Sequence, residues 1–385
     1  MSVLLLIIGL ILFIGLVVIH EFGHFIAARR GGVDVEEFGI FFPPRLFKYK
    51  TKGGWNFTIN ALPLGGFVKL KGEHDTDTEK GSYGAASLKT KTKIMAAGVF
   101  MNLVTALVLL TFLALIGLPK LIDNQFTVKS DTKISRQEVF LSYIEPGSPA
   151  AKAGLKSQDR LVAVQGTAVK TPKQLHDLTT ANPGKTVTVR YVRDGQTKDV
   201  KATLQTKAVV DASQKTDNPK GYLGVSPQAF SLQRSTWSAP IVAVGFSTQI
   251  TKLTLQGLGH AVGGLGSLIA GTVTGNTTAR QHGQTSASSQ VSGPVGIFFV
   301  LKTGSVLGVQ FMLLIIAIIS LTLAIMNILP IPALDGGRLW LTLISRGLLK
   351  KPLSAQREER INATGFVTLL LLIAVITFVD IKRFF

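Results

Sequence analysis

Long apolar runs divide this chain. Val3 to Ile19 is unbroken, and continues through a polar cluster at His20 to Ala28 before Arg29 and Arg30. Ile94 to Leu118, Val306 to Leu329 and Ala363 to Val379 are three more such runs. About 20 apolar residues of helix cross roughly 30 Å of hydrocarbon, so each run predicts a transmembrane helix. The first run has no basic segment ahead of it and its basic residues follow it, which reads as a retained span and not a cleaved leader. Between the first two runs, residues 38–72 alternate polar and apolar positions, as in Asn56-Phe57-Thr58-Ile59-Asn60, around Gly53-Gly54 and Gly65-Gly66. That pattern predicts one or two β-hairpins. Residues 73–93 are polar and read as a mobile linker ending at a basic membrane boundary. Residues 125–226 hold alternating strands such as Thr186 to Val192 and a short helix near Lys173 to Thr180, which predicts an inserted α+β domain.

Composition agrees with a membrane chain. Of 385 residues only 16% are charged and 46% are hydrophobic, against roughly 25% charged in ordinary globular proteins. There is no cysteine, which excludes disulfides, cysteine-ligated metals and thiol nucleophiles. Much of the net charge of +19 follows from topology. Residues 26–93 carry twelve Lys and Arg and residues 335–362 carry six, whereas the segment before the first span has none. By the positive-inside rule both loops are cytoplasmic and both termini lie outside. No basic run with interleaved aromatics suggests a nucleic-acid surface.

Candidate chemistry lies where the first span ends, in His20-Glu21-Phe22-Gly23-His24. Positions i and i+4 share a helix face, so both imidazoles can reach one ion, and Glu21 stands beside it to take a proton from water. Ionisable groups inside spans are costly and therefore candidates for function. A catalytic zinc usually has three protein ligands and an open fourth position. Without cysteine the third must be His, Asp or Glu. His74, His176, His260 and His282 lie in loops or off the cytoplasmic face, and Asp335 is the better candidate, in Asn327-Ile328-Leu329-Pro330-Ile331-Pro332-Ala333-Leu334-Asp335-Gly336-Gly337. At 1.5 Å per helical residue His20 and His24 lie about 7–14 Å before Arg29, and Asn102 about 12 Å past Ile94, which sets them at one depth. Since both motifs close their spans, those spans run in the same direction and an odd number of crossings separates them. Residues 238–290 are therefore read as an interfacial amphipathic helix and loop, leading into Ser292-Gly293-Pro294-Val295-Gly296.

These residues resemble the site-2 protease family of intramembrane zinc metalloproteases along nearly the whole chain. The family's H-E-x-x-H and N-x-x-P-x-P-x-L-D-G-G are the two motifs just given. Its A-G-P-x-x-N resembles Ala97-Gly98-Val99-Phe100-Met101-Asn102, with Val99 in the proline position, and its P-L-G-G-[YF]-V-K resembles Pro63-Leu64-Gly65-Gly66-Phe67-Val68-Lys69. Gly39 to Leu46 is similar to its G-F-G-P-R-L region, with Phe41 in place of a customary glycine. The resemblance implies Zn²⁺ held by His20, His24 and Asp335, with Glu21 as general base and Asn102 donating a hydrogen bond to substrate or oxyanion. It also implies substrate contacts at Asn327, Pro330, Pro332, Gly65 and Gly66. Tyr143 to Leu155 with Gln158 to Gly166 resembles a bacterial PDZ domain, and Gly221-Tyr222-Leu223-Gly224 is a candidate peptide-facing loop.

The expected architecture is a polytopic α-helical membrane protein with four transmembrane helices, a membrane-associated β-hairpin element and one inserted PDZ domain. Its segments are 1–28 (first span), 29–93 (cytoplasmic loop with the hairpin), 94–118 (second span), 125–226 (extracytoplasmic PDZ domain), 238–296 (juxtamembrane helix and loop), 306–337 (third span) and 363–380 (fourth span). The expected activity is zinc endopeptidase cleavage of single-span membrane proteins or remnant signal peptides in the cell membrane. The competing class is a non-catalytic membrane adaptor presenting the PDZ domain, which has no need of a buried His, His, Asp and Glu set. A transporter would show repeat halves with paired broken helices, and the sequence has none.

Overall fold

The computed structural model describes residues 2–216, 219–278, 280–281 and 293–384. Residues 282–292, with His282 and Ser292, lie outside the described residues. The chain divides into two compact units, Leu113–Val242 and the pair of segments Ser2–Phe112 and Ala243–Phe385.

In the helical unit, α1 (Ser2–Arg30) runs without a break through His20 and His24. It is followed by β1 (Val35–Lys50), β2 (Asn56–Leu70) and α2 (Leu88–Ile116). After the second unit come α6 (Ala239–Thr274), α7 (Pro294–Leu307), α8 (Val309–Ile328), α9 (Asp335–Thr342), a π-helical stretch at Leu343–Leu348 and α10 (Ala355–Phe384). Among the described residues four helical segments are long and apolar enough to cross a membrane: Val3–Arg30, Leu88–Ile116, Val309–Ile328 and Ala355–Lys382. Their apolar side chains are exposed in large number, Val3, Ile7, Ile11, Val108 and Leu371 among them, as lipid-facing surface requires. Helix α1 packs through Leu16 on Leu301 of α7 and Met312 and Ile316 of α8.

Several boundaries differ from the apolar runs. Helices α2 and α10 begin six and eight residues before the runs at Ile94 and Ala363, because Lys, Arg, Glu and Gln are good helix formers outside lipid. The third run is interrupted at Gly308, whose φ of +108° suits glycine and ends α7 before α8 begins. The predicted juxtamembrane helix is a continuous 36-residue α6, in which Ala239, Val242, Ala243, Phe246 and Ile250 are buried at helical spacing.

Strands β1 and β2 are long, bent and paired along three stretches. Val35 to Ile40 pairs with Gly66 to Leu70, Glu37 to Ile40 also pairs with Asn56 to Ile59, and Arg45 to Lys50 pairs with Asn56 to Asn60. Phe41 sits at the bend with φ +68°, a conformation a glycine adopts without strain. That supplies a physical reason for the glycine customary there. Residues 73–86 are not the mobile linker expected. Asp75 is buried and accepts hydrogen bonds from Lys91 and from Arg346 Nε at 2.8 Å, and Tyr83 is buried beneath Lys91 and Arg338. A polar composition hid this order, because its partner Arg346 lies 271 residues away.

The second unit is sheet-rich. Strands β3 (Leu118–Pro119), β4 (Lys133–Ile144), β5 (Arg160–Val164), β6 (Thr167–Ala168), β7 (Thr186–Arg193), β8 (Gln196–Thr203) and β9 (Val225–Arg234) form one sheet in the order β3-β9-β4-β5-β7-β8, with β6 beside β5. Helices α3 (Pro149–Lys152), α4 (Pro172–Thr180) and α5 (Lys207–Ser213) accompany it. Helix α4 starts at a full capping box, with Thr171 and Gln174 each bonding the other's backbone N–H. Inward positions of the strands, including Val139, Leu141, Leu161, Val187 and Val189, form its core with Leu175 of α4 and Leu223.

Candidate metal centre

Two elements of the helical unit converge on one point. The last third of α1 supplies His20 and His24, one helical turn apart, and the first residue of α9 supplies Asp335. Both histidines are buried. Asp335 Oδ2 lies 2.8 Å from His20 Nε2 and 3.1 Å from His24 Nε2, and the two Nε2 atoms are 3.3 Å apart.

Close backbone approaches make this convergence possible. A Cβ on Gly98 of α2 would stand 2.4 Å from His24 Nε2, so only a glycine lets α2 pass behind the imidazoles. A Cβ on Gly336 would meet Leu329 O at 2.1 Å and one on Gly337 would meet Ile331 O at 2.3 Å. The two glycines let α9 start directly against the extended turn after α8, which aims Asp335 back at α1. Helix α8 has its N–H and C=O groups in order up to Ile328, and Leu329 adopts an extended backbone that opens this turn.

The far sides of the imidazoles are also held. His24 Nδ1 lies 2.7 Å from the carbonyl oxygen of Ile94, to which it donates. His20 Nδ1 lies 3.1 Å from Asn102 Nδ2 of α2. Glu21, His24 and Asp335 share the wall of a cavity of about 170 Å³ with Gly66, Val68, Glu73 and Arg338. Strand β2 passes directly over the glutamate, since a Cβ on Gly66 would be 3.1 Å from Glu21 Cγ.

Donor chemistry and spacing both suit a divalent ion. Atoms bound at 2.0–2.1 Å to a tetrahedral zinc are about 3.3 Å apart, and the separations here are 2.8, 3.1 and 3.3 Å. The N–H from His24 to Ile94 O leaves Nε2 with its lone pair toward the shared point, the arrangement of an outer partner to a metal ligand. Two imidazoles and one carboxylate leave a fourth position open. Among the described residues this is the one group of three or more His, Cys, Asp or Glu close enough to hold an ion.

The other candidates are not all gathered here. Gly66 lines the cavity, whereas Gly65, Asn327, Pro330 and Pro332 are not part of its wall. Gly65 faces the Phe42 ring, Asn327 is half-buried near the end of α8, Pro330 is exposed, and Pro332 packs against Gly365 of α10. Arg338 and Glu73 were not legible as cavity residues. The position of Arg338 one turn after Asp335 is the signal that points to it.

An apolar helix of spanning length that carries two histidines and an adjacent glutamate, met by the carboxylate of Asp335 at the start of α9, defines a class: membrane-embedded metallohydrolases of the H-E-x-x-H kind. The model of Peptidase family M50 matches residues 8–372, and the chain belongs to that family. Curated relatives extend over nearly all of it. A zinc metalloprotease by name from Clostridium acetobutylicum is 30% identical, covering 99% of this chain and 98% of its own length. The regulator of sigma-W protease RasP of Bacillus subtilis is 27% identical, covering 98% of each. Zinc metalloprotease RasP of Shouchella clausii is also 27% identical, covering 96% of this chain and 97% of its own.

Proposed function

We propose that this chain is an intramembrane zinc endopeptidase that hydrolyses peptide bonds within or beside the spans of membrane proteins. The observation that carries the reading is the convergence of His20, His24 and Asp335 on one point, with His24 and Asp335 in the same cavity wall as Glu21. His20, His24 and Asp335 would hold the ion, and the fourth position would be left to water and substrate. A bound zinc lowers the pKa of its water towards about 7 and polarises the scissile carbonyl. The Glu21 carboxylate accepts the proton of the attacking water and delivers it to the leaving amide nitrogen. The cavity is narrow, and a helical peptide hides its carbonyls, so the substrate must unwind to enter. Gly66 of β2, beside Glu21, supports pairing of the extended substrate with that strand.

The reading extends to topology and substrate. The basic loops support a site toward the cytoplasmic side of the cell membrane, with both termini and the sheet-rich unit outside. That unit is taken as a PDZ domain acting on the extracytoplasmic part of substrates, either by binding peptide or by excluding bulk. Single-span anti-sigma-factor-like proteins and remnant signal peptides are the substrate classes, the former supported by the sigma-W name of the Bacillus subtilis relative.

The test compares wild type with Glu21→Gln on a tagged single-span substrate lacking its ectodomain, in detergent, with zinc content measured on both. Cleavage by wild type alone, with near one zinc in each, is the expected result. Absence of both zinc and cleavage in wild type would overturn the reading.

A further inference from the structure

The two histidines are held from behind in different ways. His24 Nδ1 donates to a main-chain carbonyl, that of Ile94, which no side-chain change can remove. His20 Nδ1 faces a side chain, Asn102, with its Nδ2 3.1 Å away. Asn102 is almost fully buried, and its Oδ1 is buried without a hydrogen-bond partner.

A neutral imidazole carries one proton, and the nitrogen that binds a metal cannot be the one that carries it. If Nε2 of His20 is a ligand, its Nδ1 bears the hydrogen and needs an acceptor. With Asn102 Nδ2 on that side, donor would face donor. A half-turn of the amide exchanges two groups of nearly the same shape and brings Oδ1 onto Nδ1–H. It joins the one buried acceptor of Asn102 that lacks a partner to the one donor of His20 that would otherwise lack one. An unpaired buried polar group costs about 1–3 kcal/mol, so the metal-ready tautomer favours this amide orientation.

We infer that Asn102 is a positioning residue for the metal centre: its Oδ1 accepts the Nδ1–H of His20 and so turns the Nε2 lone pair to the ion. The main chain at this position is held as well. Ser320 Oγ of α8, itself fully buried, donates to Asn102 O at 2.8 Å. Asn102 therefore joins three spans, holding a ligand of α1 from α2 while α2 is tied to α8. This differs from the donor-to-oxyanion role that the resemblance implies, in which the amide N–H, not its oxygen, is the working group. The inference rests on the metal-centre reading above.

The experiment measures zinc affinity of the full chain in detergent, by competition with a chromophoric chelator, for wild type, Asn102→Leu and Asn102→Asp. Leucine keeps the branched skeleton and removes the acceptor, and aspartate keeps the acceptor and removes every N–H. Loss of an outer partner typically weakens metal binding by about 10–100-fold, which is the loss expected for Asn102→Leu. Asn102→Asp is expected to stay close to wild type, since a carboxylate is a common acceptor from a metal-bound histidine. Elution as a single species and an unchanged melting temperature without metal identify the folded variants. If the leucine variant is not folded, Asn102→Ala replaces it. Unchanged zinc affinity in the acceptor-free variant would overturn the inference, as would an aspartate variant that loses as much as leucine. Failure of wild type itself to bind zinc would instead remove the metal-centre reading, and this inference with it.

Discussion

Adding a single methyl group at Gly98 tests the architecture of the centre without replacing a proposed ligand. The Cβ of Gly98→Ala would fall 2.4 Å from His24 Nε2, 2.6 Å from His20 Cε1 and 2.8 Å from His20 Nδ1. Carbon atoms in contact prefer about 3.5–4.0 Å, so roughly 1 Å must be found. The imidazoles cannot swing away freely, because His24 Nδ1 is held by Ile94 O at 2.7 Å and His20 Nδ1 abuts Asn102. Helices α1 and α2 also pack closely here, since a Cβ on Gly23 of α1 would be only 2.6 Å from Ala97 O. Overpacking of this kind costs about 1–3 kcal/mol. Metal sites tolerate ligand displacements of only about 0.2 Å, and a misplacement of about 1 Å can lower a rate by about 10²-fold. The expected outcome is a folded variant with substoichiometric zinc and cleavage reduced by about two orders of magnitude. Gly15→Ala on α1 is the control, because a Cβ there meets nothing within 4 Å and alanine gains up to about 1 kcal/mol in helix propensity. Zinc content, cleavage of a single-span reporter and melting temperature are read on both. A Gly98→Ala protein with full zinc and wild-type cleavage would refute the reasoning.

Further outcomes follow from other sites. Removing the ion with 1,10-phenanthroline is expected to abolish cleavage and added zinc to restore it, and cleavage that survives complete metal removal would refute metal dependence. Asp75→Asn leaves Lys91 buried without its carboxylate partner, and breaking a buried pair costs about 3–5 kcal/mol, so melting temperature should fall sharply. Burial raises the Asp75 carboxyl, but the hydrogen bonds from Arg346 and Lys91 outweigh it and hold it below its ordinary value. Its stabilisation is therefore complete above the unfolded value near pH 4 and lost as pH falls through the lower folded one. Acid titration of the melting temperature should be steeper below about pH 4 in wild type than in Asp75→Asn. Gly224→Ala places a Cβ 2.2 Å from Ser148 Cβ at a φ of +71°, and should destabilise the sheet-rich unit by more than about 1 kcal/mol, read as faster limited proteolysis within residues 125–226.

The sequence made some elements legible and hid others for definite reasons. Period-two alternation located the strand now bounded at Thr186–Arg193, and the short helix expected near Lys173 to Thr180 is found at Pro172–Thr180. Apolar runs located four spanning helices but not their ends, since hydropathy records lipid contact while helices continue into water on Lys and Glu. The spacing of His20 and His24 is local and could be read. Their meeting with Asp335 is tertiary, and was reachable only through depth, direction and resemblance. What escaped were the main-chain partner Ile94 and the cavity neighbours Glu73 and Arg338. A carbonyl oxygen has no letter in the sequence, and an ordinary arginine one turn past a motif has no distinguishing one. The order of residues 73–86 escaped because its ion pairs close over long separations.

The proposed ligands also set a schedule. His24 and Asp335 are 311 residues apart in the chain, and ribosomes add about 5–20 residues per second. About 15–60 s of synthesis therefore separate the first donors from the last. During that interval α1 carries both histidines and Glu21, but the third proposed donor has not been made. On the proposed function, a growing or interrupted chain has an incomplete set of the proposed ligands and would not yet be competent for proteolysis. Spreading the ligands across the sequence delays the activity until the last-made ligand has joined the fold.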